Sequence, residues 1–259
     1  MKLYDYLLKP TEKPLDYIPE DGGFSAIFRT IACIGDSLSS GEFESRNPDG
    51  SRGYHDMFEY SWGQFIARQI GAKVYNFSRG GMTAIEYVKS FADANDMWSE
   101  EKLAQTYIVA LGCNDLLGMN QTVGSVDDLR DDYTENPDTF AGWYGKVIQR
   151  YMKMQPRAKF FLMTMVRGGD ADYDAKVAAQ AKLMRDIAAK FDNTYVIDLE
   201  KYGPVYDEAF REKFFMLGHM NPAGYLLTAK MTMAYIDYII RSDFKAFRDV
   251  GFIGTDLYD

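Results

Sequence analysis

Five short runs rich in β-branched and aromatic residues, separated by longer stretches of helical periodicity, constrain the fold more than any other feature of this sequence. The runs are 29–35 (RTIACIG), 73–77 (KVYNF), 106–111 (TYIVAL), 159–165 (KFFLMTM) and 194–198 (TYVID). Between them, residues 61–70, 83–92, 139–154 and 173–190 carry apolar side chains at three- and four-residue spacing, and a long last helix is expected over 222–241. Strands alternating with helices in this way predict a parallel sheet covered on both faces, an α/β architecture. The apolar positions of the last helix, among them Leu226, Leu227, Met231, Met233, Tyr235, Ile236, Ile239 and Ile240, read as core packing.

A chain of 259 residues, 47% hydrophobic and 15% aromatic, buries roughly 70–75% of its unfolded surface and needs no metal or disulfide to fold. The sequence shows no internal repeat, no low-complexity segment and no break in composition, so one domain over 1–259 is expected. Its N-terminal 28 residues (Tyr4, Tyr6, Tyr17, Phe24, Phe28) and its tail from 242 (Phe244, Phe247, Phe252) form arms. The arms are candidates for strapping the core, covering a site or joining two copies in a homo-oligomer. With 29 Lys and Arg against 38 Asp and Glu, a net charge of -9, the chain lacks the basic surplus that phosphate-backbone binding requires, so no nucleic-acid partner is expected. No run approaches the ~20 apolar residues of a membrane span, and the charged, proline-containing N-terminus resembles no signal peptide. A cytoplasmic protein without a membrane partner follows. Cys33 and Cys113 sit in apolar runs and make neither a disulfide framework nor a zinc site.

In an open α/β sheet, ligands bind beyond the carboxyl ends of the strands. Four segments fall there. Gly35-Asp36-Ser37-Leu38 follows the first strand and places a hydroxyl at the start of a helix; Asn76-Phe-Ser78-Arg79-Gly80-Gly81-Met82-Thr83 follows the second and lets backbone N–H groups approach a ligand. Gly112-Cys113-Asn114-Asp115 follows the third with a side-chain amide, and Gly218-His219-Met220-Asn221-Pro222 precedes the last helix with one of only two histidines. Each alone is also an ordinary turn or helix cap. A serine, a glycine, an asparagine and a histidine in this order resemble the four blocks of the GDSL/SGNH hydrolase family, and the resemblance spans residues 31 to about 225.

The resemblance implies a flavodoxin-like three-layer α/β/α sandwich with a five-stranded parallel sheet of order 2-1-3-4-5. It implies Ser37 as the nucleophile and His219 as the general base, with an oxyanion hole made by the N–H groups of Ser37 and Gly81 and the amide of Asn114. It implies no cofactor, and a small-molecule or carbohydrate ester as substrate, with O-acetylated carbohydrate the first to try; two histidines far apart and no H-E-x-x-H leave no recognisable metal-ligand set. The G-x-S-x-G elbow of the α/β-hydrolases is absent, because Ser39 stands where its second glycine would be. The family's last block reads Asp-x-x-His, and here Met216 occupies the acid's position. A main-chain carbonyl near Met216, an acid from elsewhere such as Asp207 or Glu208, or a Ser-His dyad remain open as ways to serve His219.

The segment 40–57 (SGEFESRNPDGSRGYHDM) is polar and contains glycine, and reads as a loop over the site. From it Glu42, Glu44, Arg46 and His55 are candidate substrate contacts, with His55 also the only alternative base. Arg79 and Arg167 are candidates for binding a substrate carboxylate or sugar hydroxyls, against a structural salt bridge for each. Two other function classes compete: a non-catalytic carbohydrate-binding module on the same fold, consistent with the missing acid, and a nucleotide binder using the Gly80-Gly81 loop. The nucleotide reading lacks both G-x-x-x-x-G-K-[ST] and G-x-G-x-x-G. Acyl transfer to a sugar would use the same residues as hydrolysis.

Overall fold

The structure, a computed structural model, describes residues 7–257; Tyr4 and Tyr6 of the N-terminal arm lie outside the described residues. In chain order the strands are β1 (Thr30–Gly35), β2 (Glu42–Arg46), β3 (Arg52–Asp56), β4 (Lys73–Ser78), β5 (Thr106–Ala110), β6 (Lys159–Met163), β7 (Thr194–Ile197), β8 (Phe215–Met216) and β9 (His219–Met220). The main helices are α1 (Ser37–Ser40), α2 (Trp62–Ile70), α3 (Phe140–Met154), α4 (Ala171–Lys190), α5 (Glu208–Phe214) and α6 (Pro222–Ser242). The expected helix over 83–92 is a run of helical turns from Ala84 to Ala94 with a π-helical stretch at Tyr87–Phe91.

Five strands form one parallel sheet in the order β4-β1-β5-β6-β7, which is 2-1-3-4-5 when only these strands are counted. The fold is the flavodoxin-like α/β/α sandwich expected. Because side chains alternate across a strand, each strand feeds both cores. Ala32, Ile34, Tyr107, Val109, Phe160 and Leu162 face the layer of α3, α4 and the 84–94 turns. Ile31, Cys33, Ile108, Phe161 and Met163 face the layer of α2 and α6. Both faces are thereby buried, as an all-parallel sheet requires.

Segment 40–57 differs from expectation. It is an antiparallel hairpin of β2 and β3 rather than a loop, paired from Glu42↔Asp56 to Arg46↔Arg52. A tight turn at Asn47-Pro48-Asp49-Gly50 closes it, with Gly50 at φ 84 and its N–H donating to the Asn47 carbonyl at 2.9 Å. Alternation along β2 sends Phe43 into the core, against Tyr60 and Tyr225, and turns Glu42 and Glu44 the other way.

The described parts of both arms strap the α6 face. The Phe24 N–H donates to Asp237 Oδ1 at 2.8 Å, and the Phe24 ring meets Phe244 edge-on at 5.1 Å. Arg241 bridges Glu12 and Asp237, each at 2.7 Å. In the tail, Phe247 is buried against Phe161 and Tyr195, and Arg157 donates to the Phe252 and Thr255 carbonyls at 3.0 Å. Among the described residues, no helix is long and apolar enough to cross a membrane.

The aromatic plug makes the tail part of the core. Phe247→Ala is expected to lower stability by about 3–5 kcal/mol, the usual cost of emptying a buried aromatic site, measured by chemical denaturation. A loss under about 1 kcal/mol would show that the tail lies on the fold without completing it.

Candidate functional site

The site begins where β1 runs out. Gly35 is its last residue, and a Cβ there would lie 2.1 Å from Ser39 Oγ, so only glycine lets α1 turn back this tightly. Asp36 then caps α1: its Oδ1 accepts from the Leu38 N–H at 3.0 Å, and its carbonyl accepts from the Ser39 and Ser40 N–H groups. Ser37 is the first helical residue and is half-buried at the carboxyl edge of the sheet.

Neighbouring strand ends close around it. The Arg79 N–H after β4 donates to the Gly35 carbonyl at 3.4 Å, and Gly81 adopts the left-handed region at φ 71 with open space on its side-chain side. After β5, the Asn114 side-chain amide donates to the Met82 carbonyl at 3.1 Å, which joins the asparagine block to the glycine loop. Asp115 ties the same two segments together by accepting from the Ala84 N–H at 2.9 Å. The fourth block arrives on β9, which packs against α1. Leu217 at φ 59 makes the β8–β9 turn, and Asn221 caps α6 through the Gly224 N–H at 3.0 Å. Buried Tyr225 of α6 donates its hydroxyl to the Glu42 carbonyl at 2.6 Å and lies 3.4 Å from the Ser37 carbonyl. That hydroxyl pins the base of the hairpin to the serine turn.

The histidine lies between two carboxylates of one strand. Its Nδ1 is 3.0 Å from Glu44 Oε1 and its Nε2 is 3.2 Å from Glu42 Oε1. The group facing Nδ1 is therefore Glu44, not a carbonyl near Met216. Asp207 instead caps α5 by accepting from the Phe210 N–H, and Glu208 is exposed in the same turn. Only 2% of the Glu44 side chain is exposed, and its Oε2 accepts from the Gly218 N–H at 2.7 Å. Burial alone would raise the Glu44 carboxyl, yet the Gly218 N–H, His219 and the Arg52 guanidinium 3.5 Å away together hold it below the ordinary range. Glu42 shifts the other way: burial raises it, His219 opposes, and Asp56 and Glu44 add to the rise.

The other candidates stand apart from this cluster. His55 on β3 bonds Ser45 Oγ at 2.7 Å on the exposed hairpin, while Tyr54 beside it, 56% exposed, meets the His219 ring edge-on at 6.0 Å. Arg79 pairs with Glu86 and lies over Phe91. Half-buried Arg167 accepts the Tyr206 N–H at its carbonyl, and its Nε is buried with no hydrogen-bond partner among the described residues. Arg46 pairs in register with Arg52 at the far end of the hairpin. Beside the serine turn, a pocket of about 90 Å³ is lined by Asp36, Leu38, Leu111, Cys113, Val166 and Tyr173, among others. Burial pushes the Cys113 thiol up to about 12, with Asp36 and Asp115 adding to the rise, so it is no thiolate nucleophile at neutral pH.

Comparison with known proteins gives a family and a fold. The family model described as "GDSL-like Lipase/Acylhydrolase family" matches residues 33–227, while no curated protein matches the chain. A family 3 carbohydrate esterase from Clostridium thermocellum is 15% identical with a TM-score of 0.54, the match covering 82% of this chain and 97% of that one. A lipase/acylhydrolase from Enterococcus faecalis is 18% identical with a TM-score of 0.52, covering 81% and 95%. A carbohydrate esterase family 2 enzyme with a carbohydrate binding domain, from Corynascus thermopiles (Myceliophthora fergusii), is 18% identical with a TM-score of 0.55, covering 80% of this chain and 65% of that one. At these identities the structures share the fold.

Asp36 gives the site a signature in stability. Burial, with Asp115 and Glu42 adding to it against the Leu38 N–H, raises its carboxyl to about 7. A carboxyl whose folded value is raised costs nothing at pH below its unfolded value near 3.8, where it is protonated in both states. The cost grows as pH rises toward 7 and is complete above it. Asp36→Asn keeps a capping acceptor, so its stability advantage over wild type is expected to grow from near zero at pH 4 to on the order of 2–4 kcal/mol at pH 8. Thermal melts of both proteins across that range check this; parallel curves would show that Asp36 does not bury its charge.

Proposed function

The chain belongs to the GDSL-like lipase/acylhydrolase family, a family of acyl-ester hydrolases, and on that premise we propose that it is a serine esterase cleaving short acyl groups, with O-acetylated carbohydrate as the substrate class. The observation that carries the reading is the convergence of the four blocks of Ser37, Gly81, Asn114 and His219 on one edge of the sheet through the contacts of β1, β4, β5 and β9.

In this reading His219 takes the Ser37 hydroxyl proton as Oγ attacks the ester carbonyl. A new C–O bond forms and the carbonyl electron pair moves onto oxygen, where the Ser37 and Gly81 N–H groups and the Asn114 amide stabilise it. The ester C–O bond then breaks, His219 returns the proton to the departing alcohol, and water repeats the sequence on the acyl-enzyme, releasing the acid and restoring Ser37. The mostly apolar pocket beside the serine turn, lined by Leu38, Leu111 and Val166 among others, supports an acyl group on that side. Exposed Tyr54 beside His219 supports a sugar on the leaving side, because an aromatic face packs well against a pyranose.

Hydrolysis of p-nitrophenyl acetate, butyrate and octanoate tests the reading, with a fluorophosphonate probe for Ser37. Wild type is expected to be labelled and to prefer acetate. Ser37→Ala and His219→Ala are expected to lose activity, and Asn114→Ala is expected to lose about 100- to 1000-fold in kcat. A wild type that neither turns over esters nor takes the probe would move the assignment to a carbohydrate-binding module on this fold.

A further inference from the structure

The sequence removes the acid that this family pattern places three residues before the histidine, and the structure supplies carboxylates from a different element. We propose that Glu44, delivered by the hairpin that follows the nucleophile, is the positioning residue that holds His219 with Nδ1–H toward the carboxylate and Nε2 toward Ser37. The inference rests on the reading of Ser37 and His219 as nucleophile and base, and it makes the site a Ser-His-Glu arrangement.

Two carboxylates touch the imidazole, and their surroundings separate their roles. Glu44 has three partners: Nδ1 at 3.0 Å, the Gly218 N–H at 2.7 Å and, from the exposed strand β3, the Arg52 guanidinium at 3.5 Å. With 2% of its side chain exposed, it has no room to swing away. The Gly218 bond matters most, since that N–H belongs to the turn carrying His219. One carboxylate thus clamps both the backbone and the ring of the base. Glu42 lies on the Nε2 side, 16% exposed, with its other oxygen directed at Gly80 of the glycine loop and no backbone N–H among the described residues holding it. It stands where Nε2 must meet the nucleophile and the leaving oxygen, which suits a group that gives way to substrate rather than one that fixes the ring.

The two carboxyls also shift in opposite directions, Glu44 down and Glu42 up, so the surroundings favour the charged form more at Glu44 than at Glu42. An anion at Nδ1 fixes the tautomer with the proton there, leaves the Nε2 lone pair free to take the Ser37 proton, and stabilises the imidazolium that results. Glu44 itself takes no proton.

Glu44→Gln tests this. Its amide oxygen still accepts from Gly218, but its NH₂ faces Nδ1 and selects the wrong tautomer. The expected result is a kcat for p-nitrophenyl acetate lower by about 10³- to 10⁴-fold with KM within about threefold, and loss of a far-downfield Nδ1–H proton resonance that wild type shows. Glu44→Asp keeps the charge at a longer reach and is expected to lose only about 10- to 100-fold. A purely structural role would move the melting temperature without this split between kcat and KM or the rescue by aspartate.

Glu44→Gln retaining activity within tenfold of a probe-reactive wild type would overturn the assignment. So would a larger kcat loss in Glu42→Gln than in Glu44→Gln, which would mean that the ring is held from its Nε2 side. A wild type that neither takes the probe nor turns over ester would overturn the esterase reading, and the positioning role with it.

Discussion

The arrangement depends on β1 being paired on both sides, to β4 and to β5, from Thr30 to Gly35. A central parallel strand has no free edge along its length, so the one place its polypeptide can present chemistry is past its carboxyl end. There the chain must reverse within one residue, and the missing side chain of Gly35 permits it. The flanking strands end at the same height for the same reason of register: Gly35 pairs with Ser78 and with Ala110. The glycine loop and the asparagine block are therefore brought beside Ser37 by backbone ladders, before any side chain of the site makes a contact.

On that scaffold the acidic side chains do different work according to what surrounds them. Asp36 and Asp115 are both buried next to backbone N–H groups, and desolvation raises both, Asp36 to about 7 and Asp115 to about 6. They hold loops by accepting hydrogen bonds, a task that does not need full ionisation. Glu44 is as buried but has cationic and N–H partners that favour its charged form. Among buried carboxylates, the partners rather than the depth decide which one keeps its charge.

Much of this was legible in the sequence. The five strands and the helix over 222–241 announce themselves by composition and period, because a sheet buried on both faces needs nearly continuous apolar strands. The four blocks were legible for a related reason: glycines, caps and strand ends mark positions where backbone geometry restricts residue choice. The hairpin reads as a loop in the sequence because its strands are polar, with Phe43 the apolar side chain directed into the core. Its signals were present all the same. Asn-Pro-Asp-Gly is a turn sequence, and Glu42-Phe43-Glu44 is strand alternation in its shortest form. What no local pattern could show is that the acidic face meets His219, a contact between residues 175 positions apart.

The departure at Met216 and the carboxylates of β2 belong to one solution. Moving the acid off the histidine's own turn requires that turn to accept a carboxylate from outside, and two glycines make the space. A Cβ at Gly218 would lie 2.8 Å from Glu44 Oε1, and one at Gly80 would lie 2.1 Å from Glu42 Oε2. Gly35 makes room for the turn of α1 beside Ser37, and Gly218 makes room for a segment from elsewhere, which approaches the backbone before His219 closely enough to hydrogen-bond it. A side chain at 218 would push Glu44 off both the N–H and the ring, removing in one step the anchor of the turn and the partner of Nδ1. The glycine before the histidine, which in isolation reads as a plain turn residue, is thus the residue on which the substituted acid depends.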